Sequence, residues 1–206
     1  DIAPTHVEGG PRRAHALGLP RSKRQEGDAT RLKALKVQTF DMVVSIFGGM
    51  LAPKPFDVAR EMVRVARPGG RIVMGNWIPG DPTLVAQILK TSAAYSPPPP
   101  EGFVSPVTWG VENDVVERFG AAGIPAERIS CTRETWEFGN SGSPAELLET
   151  FREYYGPTMN AYAAAAADGR AEELHAELTA LFEAQNTATD GGTRIAATYL
   201  RVVVSV

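Results

Sequence analysis

Phe40-Asp41-Met42-Val43-Val44-Ser45-Ile46-Phe47 is followed, after a short gap, by Pro55 to Ala66 and then by Arg67-Pro68-Gly69-Gly70-Arg71-Ile72-Val73-Met74-Gly75-Asn76-Trp77. The first stretch is almost continuously apolar and carries β-branched residues, which predicts a parallel strand buried on both faces. In the second, Phe56, Ala59, Met62 and Val63 recur at helical spacing and Val65-Ala66 complete the last turn. Pro55 suits a helix start, and Arg67 to Gly70 reads as a stop and a tight turn. Arg71 to Trp77 is then a second buried strand. Strand, crossover helix and strand over about 35 residues make a βαβ unit, so the fold class is α/β.

Toward the C-terminus, residues 79–106 read as irregular, with Pro97 to Pro100 a stiff polyproline segment. A helix is predicted from about Val111 to Ala122 and a strand over Glu127 to Phe138. Ser143 suits an N-cap, with Pro144 at the first helical position and Glu146 three residues on. Helices follow to about Tyr155, over Thr158 to Ala167 and over Arg170 to Asn186, the last with Leu174, Leu178, Leu181 and Phe182 on one face. Gly191-Gly192 is a turn, and Arg194 to Val206 is a closing strand that a hairpin would set against Glu127 to Phe138. Toward the N-terminus, residues 1–39 are poor in apolar residues. A helix from Thr5 to Leu17 would be broken by Gly9, Gly10 and Pro11.

Composition narrows the function. The 206 residues suffice for one α/β domain, and 43% hydrophobic with 22% charged is ordinary for a globular protein. A net charge of −3 gives no basic footprint for nucleic acid. No apolar run spans a bilayer and no leader pattern stands at the start, so the expectation is a cytoplasmic protein. Cys131 is the single cysteine, and no CxxC or His cluster suggests zinc or another metal.

Four segments in this order resemble class I S-adenosylmethionine-dependent methyltransferases of the small-molecule, ubiquinone-methyltransferase-like group. They are Asp1-Ile2-Ala3-Pro4, Glu26-Gly27-Asp28-Ala29, Phe40 to Phe47, and Arg64-Val65-Ala66-Arg67-Pro68-Gly69-Gly70-Arg71-Ile72. The resemblance runs on through Asn76-Trp77 and Trp109-Gly110 to Tyr154-Tyr155-Gly156-Pro157-Thr158. It implies a Rossmann-like, mostly parallel sheet with helices on both faces and an antiparallel last strand next to the second strand of the βαβ unit. One domain is expected over 1–206. Within it, 1–78 is the remainder of the cofactor-binding half, 79–110 and 143–188 cover the substrate, and 126–139 and 194–206 are closing strands. The family's glycine-rich first strand is not in this sequence. The expectation is therefore an N-terminally incomplete fold, short of a strand, a helix and a strand start, roughly 30 residues by the size of a βαβ unit.

The same resemblance implies S-adenosylmethionine as cofactor and assigns residues to it. Asp1, with Ile2, resembles the acidic strand end that accepts both ribose hydroxyls. Asp28 resembles the acceptor of the adenine amino group, with the Ala29 N–H facing a ring nitrogen. Ser45, Ile46 and Phe47 leave their strand beside the methionine end. Asn76, Trp77, Trp109 and Tyr154 are candidates for the acceptor pocket, with Tyr95, Tyr155 and Met159 as further lining. Each has a plainer alternative: a solvated terminal aspartate for Asp1, a turn or cap aspartate for Asp28, and core packing for the apolar and aromatic residues. His6, His15 and His175 read as surface residues and Cys131 as strand core.

Methyl transfer from a sulfonium requires alignment more than acid–base chemistry, which suits a sequence without a catalytic triad or metal cluster. The expected partner is a small-molecule acceptor, with no nucleic acid or membrane, and the protein a monomer or homodimer. A short-chain dehydrogenase would need Tyr-x-x-x-Lys, which no tyrosine here provides. The remaining rival is a truncated or degenerate methyltransferase-like module that binds a partner without catalysis.

Overall fold

The computed structural model describes residues 14–15, 17–18, 23 and 25–206. Asp1, Ile2, His6 and most of the Thr5 to Leu17 helix expected from the sequence lie outside the described residues. The elements are β1 (Phe40–Ile46), α1 (Pro55–Val65), β2 (Ala66–Trp77), α2 (Leu84–Ala93), α3 (Glu112–Ala121), β3 (Ile129–Asn140), α4 (Pro144–Tyr154), α5 (Gly156–Ala167), α6 (Ala171–Gln185) and β4 (Thr193–Ser205). Single 3-10 turns occupy Gly49–Leu51, Pro106–Gly110 and Ala126–Arg128.

The four strands form one sheet in the order β1-β2-β4-β3. Two compact units divide the chain. The first holds Asp1–Met74, Asn113–Ser130 and Val202–Val206; the second holds Gly75–Glu112 and Cys131–Arg201.

In the first unit the starts of β1 and β2 lie side by side, since a Cβ on Gly70 would sit 3.0 Å from the Asp41 carbonyl oxygen. The pair is parallel, joined by α1 as a crossover. The end of β4 meets the start of β2: Gly69 N–H donates to Val206 O (2.7 Å) and Val206 N–H to Gly70 O (3.0 Å). That pairing is antiparallel. Two residues of β2 oppose one of β4 there, and Gly69 has φ +80°. A left-handed glycine at the first position of such a doubled pair is a β-bulge, and it needs glycine for want of a Cβ. The helix stops at Val65 and Arg67 to Gly70 turns tightly, as predicted, with a Cβ on Gly70 only 2.9 Å from Arg67 O; the turn lies within a run that is already strand. The bulge takes up the kink that the Pro-Gly-Gly sequence signals. Val58 and Ala59 of α1 and Val115 and Phe119 of α3 are fully buried.

In the second unit the end of β3 lies beside the start of β4. Thr193 donates to Gly142 O (2.7 Å), and Tyr199 donates to Glu134 (2.8 Å) further along. β4 is antiparallel here too, so β1, β2 and β3 run one way and β4 the other, as the sequence predicts. Gly191 turns into β4 with φ +85°. Ser143 caps α4 by accepting the Glu146 N–H (3.3 Å). Leu174, Leu178 and Phe182 of α6 are fully buried, as their spacing requires.

Two expectations fail. β1 is not buried on both faces: among the described residues it ends the sheet, and on one face Phe40, Met42, Val44 and Ile46 are exposed, Val44 to 57%. An apolar run tells strand from loop but not the strand's place in a sheet. Residues 79–106 are not wholly irregular, because they contain α2. Thr83 is its N-cap, and Leu84, Val85 and Ile88 are its buried face.

Candidate functional site

In an open α/β sheet, ligands bind at the carboxyl ends of the parallel strands. At that end of β1 in the first unit, Ser45 accepts the Gly49 N–H through its hydroxyl (2.8 Å). This closes a tight loop in which Phe47 has φ +57°. A bulky residue in the left-handed region is strained and needs its surroundings to hold it there. Gly49 packs closely here, since a Cβ would meet Ser45 Oγ at 2.7 Å and Met62 Cε at 3.0 Å. The exit loop of β1 is therefore rigid and shaped. Ser45, Ile46 and Phe47, the residues assigned from sequence, are the ones that shape it.

Asp28 lies in the same unit, exposed, in a turn of its own making. Its carboxylate accepts the Thr30 N–H (2.8 Å), and Arg31 N–H donates to Asp28 O (2.9 Å). The Thr30 N–H, and after it the Thr30 hydroxyl, hold the carboxyl below the ordinary aspartate range, so it is an ionised acceptor. Behind it the segment is tied to α1. Glu61 accepts the Leu32 N–H (2.6 Å), while Arg64 donates to Leu32 O and Leu35 O (both 2.9 Å) and to Glu61. The bonded Arg64 guanidinium outweighs partial burial and keeps Glu61 ionised. Sequence reading missed this brace. Its signal is the i,i+3 Glu–Arg pair on a predicted helix.

The second unit holds the acceptor-side candidates. Asn76, near the end of β2, is 0% exposed, and neither its Oδ1 nor its Nδ2 has a partner among the described residues. Trp77 is buried beside Phe138 and Tyr199, with ring centroids 6.5 and 6.4 Å away. Trp109 is buried too, and Gly110 after it presses on β2: a Cβ there would run into the Trp77 carbonyl and approach Ile78 Cα to 2.8 Å. Tyr95 is buried, donates to Glu177 (2.9 Å) and lies 4.2 Å under the Arg170 guanidinium. Tyr154 does not join these residues: it is 73% exposed at the end of α4, and Met159 is exposed as well. Helical spacing turns Phe151 inward and leaves Tyr154 outside.

His175 is not a bare surface histidine, since its Nδ1 lies 2.8 Å from the Tyr162 hydroxyl. Asp81, which the sequence did not single out, is 5% exposed. Its carboxylate accepts from the Thr83 N–H (2.9 Å), the Thr83 hydroxyl and Arg133 Nη2 (2.7 Å). Burial alone would raise its pKa, but these donors together hold it below the usual value. Thr83 in turn accepts the Thr198 N–H (2.8 Å), so one network ties the start of α2 to β4 and to Arg133 on β3.

A parallel βαβ unit with an antiparallel β4 beside its second strand, and a shaped loop at the β1 exit, defines the class I methyltransferase fold. Residues 1–74 match the family model described as a methyltransferase domain. An uncharacterised protein of Mycobacterium tuberculosis is 34% identical over 164 residues, which is 79% of this chain and 57% of the relative. A second one from that organism is 30% identical over 163 residues, with the same shares. The chain spans a little over half the length of the curated relatives it matches. Among solved structures, a protein of Bacillus halodurans named as a methyltransferase superposes with a TM-score of 0.59 at 14% identity, covering 100% of this chain and 80% of that one. The [4+2]-cyclase SpnF superposes at 0.52 with 17% identity, covering 100% and 65%. At such identities the structures show the fold alone.

Proposed function

We propose that this protein transfers the methyl group of S-adenosylmethionine to a small-molecule acceptor by in-line displacement. The carrying observation is the exit of β1, where Phe47 is held left-handed and the Ser45 hydroxyl fixes Gly49. Strain kept at the carboxyl end of a parallel strand marks a place shaped for a ligand.

The described residues fit the cofactor at two points, and two residues outside them are assigned by resemblance. Asp28 is an exposed, ionised acceptor suited to an adenine amino group, with the Ala29 N–H beside it. The backbone of Ser45 to Phe47 suits the methionine end. Asp1 and Ile2 take the ribose by resemblance. Bound there, the cofactor supplies a methyl group already activated on a sulfonium. The residues of this chain bind, orient and exclude water. Asn76, Trp77 and Trp109 serve the acceptor in the second unit, with Asn76 the polar contact. Tyr154 is left out because of its exposure. No helix among the described residues is long and apolar enough to cross a membrane. A cytoplasmic monomer or homodimer acting without nucleic acid belongs to the same reading.

Calorimetry with S-adenosylhomocysteine tests it. Binding is expected, and Asp28→Ala should weaken it about ten- to a hundred-fold with the melting temperature nearly unchanged, as for one lost hydrogen bond to an ionised group. A protein that takes up no S-adenosylhomocysteine would be the non-catalytic module instead.

A further inference from the structure

Resting on the methyl-transfer reading, we propose that Asn76 selects the acceptor and that the group it receives is uncharged, with an N–H or O–H beside a carbonyl oxygen. Lactams, carboxamides and hydroxyketones present such an edge. A polar side chain wholly removed from solvent with neither amide atom paired is costly to keep in a folded protein. Asn76 is in that state: 0% exposed, with Oδ1 and Nδ2 both unpartnered among the described residues. It stands one residue before the end of β2, at the carboxyl end of a strand parallel to β1, where this class of fold takes ligands.

The chemistry of the side chain restricts what can pair with it. A carboxamide offers one acceptor and one donor group side by side. A carboxylate would leave Oδ1 facing negative charge, and an ammonium would leave Nδ2 without an acceptor. A group with a donor next to an acceptor satisfies both atoms at once.

The other buried polar side chains of this unit point the same way. Asp81 is the one buried carboxylate or basic side chain among the described residues of this unit, and the buried Tyr95 and Tyr162 are phenols. Thr83 occupies its Oδ1 and Arg133 its Oδ2. Thr158, also wholly buried with an unpartnered hydroxyl, is neutral. No free countercharge is buried in this set to balance an ionised acceptor, and an unbalanced buried charge is far costlier than a neutral group.

The test uses the full-length protein, its Asn76→Leu variant and, in case that variant folds poorly, Asn76→Ser. Melting temperature is followed with 2-quinolone, benzamide and 2-hydroxyacetophenone, against benzoate and benzylamine, with and without S-adenosylhomocysteine. The neutral donor–acceptor probes should raise the melting temperature of the wild type and the two ionised ones should not. Asn76→Leu should melt higher than wild type without ligand, because two unpaired atoms are gone. It should also lose at least ten-fold in response to the neutral probes while keeping its S-adenosylhomocysteine affinity within two-fold. A stronger response to benzoate or benzylamine, no response to any neutral probe, or an intact response in both variants overturns the proposal. Loss of S-adenosylhomocysteine binding in the wild type would instead overturn the methyl-transfer reading, and the runs without it keep the two failures apart.

Discussion

Replacing Asp81 by alanine should unfasten the start of α2. The carboxylate is 5% exposed and accepts three hydrogen bonds, two from Thr83 and one from Arg133. Hydrogen bonds to a charged group contribute about 1.5–3 kcal/mol each, but they are not additive, and burying the carboxylate offsets part of the gain. Arg133 is 59% exposed and rehydrates when released, so its share is small. The two Thr83 bonds carry most of the effect, and their loss also loosens the Thr83–Thr198 link. The expected loss is about 2–4 kcal/mol, which lowers the melting temperature by roughly 4–16 °C for a chain of this size.

Asp81→Asn keeps an acceptor for Thr83 and should lose about half as much. The pH dependence follows from the sign of the shift. The folded-state pKa of Asp81 is depressed, so its stabilisation is present above the unfolded-state value of 3.8 and disappears as pH falls through the lower folded value. The gap between wild type and Asp81→Asn should be constant near neutrality and close below about pH 4. Melting curves followed by circular dichroism between pH 3 and 8 measure both effects. An Asp81→Ala protein that melts within 2 °C of wild type at pH 7 would refute the assignment.

Gly110→Ala drives a methyl group into the Trp77 carbonyl on backbone that cannot retreat, and should cost more than about 3 kcal/mol or abolish soluble expression. Ser45→Ala removes the acceptor of the Gly49 N–H; a stability loss of about 1 kcal/mol and a several-fold weaker S-adenosylhomocysteine affinity by calorimetry are expected. Val44→Lys places a charge on the exposed apolar face of β1 and should reduce light scattering on heating while shifting the melting temperature by less than about 2 °C.

The βαβ unit was legible because its signals are local: an apolar run, a helical period, a proline at the start of α1. The antiparallel β4 was legible from the resemblance and from Gly191, whose left-handed turn leads into it. What stayed hidden depends on distant parts of the chain. Phe40, Met42, Val44 and Ile46 share one face of β1, and none of the described residues covers it, which four alternating apolar residues cannot announce. α2 was masked by the prolines at Pro82 and Pro97 to Pro100, although Thr83 and the Leu84, Val85, Ile88 spacing were there to be read. Asp81 and Arg133 are 52 residues apart, and no spacing rule joins them. Asn76 was placed at its strand end from sequence, but an amide without a partner is a property of packing. The resemblance makes Tyr154 a pocket candidate, whereas the phase of α4 faces it outward.

The fold alone does not decide the chemistry, since a [4+2]-cyclase also superposes on this chain. The ionisable groups narrow it. Asp28, Asp81 and Glu61 are held below the carboxylate range by Thr30, by Thr83 with Arg133, and by Arg64. Burial pushes Tyr95 and Tyr155 up to about 12 and the Cys131 thiol up to about 11. Each of these moves away from neutrality, whereas a general acid or base is tuned toward it. What the described residues provide instead is geometry: a pinned loop at the exit of β1, a braced segment behind Asp28, and a buried amide with open valences at the end of β2. A reaction limited by bringing a nucleophile into line with an activated methyl group draws on geometry more than on proton transfer. The proposed methyl transfer has a measurable signature. The rate should be flat between about pH 6 and 8 for an acceptor that does not titrate there, and a bell-shaped profile with such an acceptor would count against the assignment.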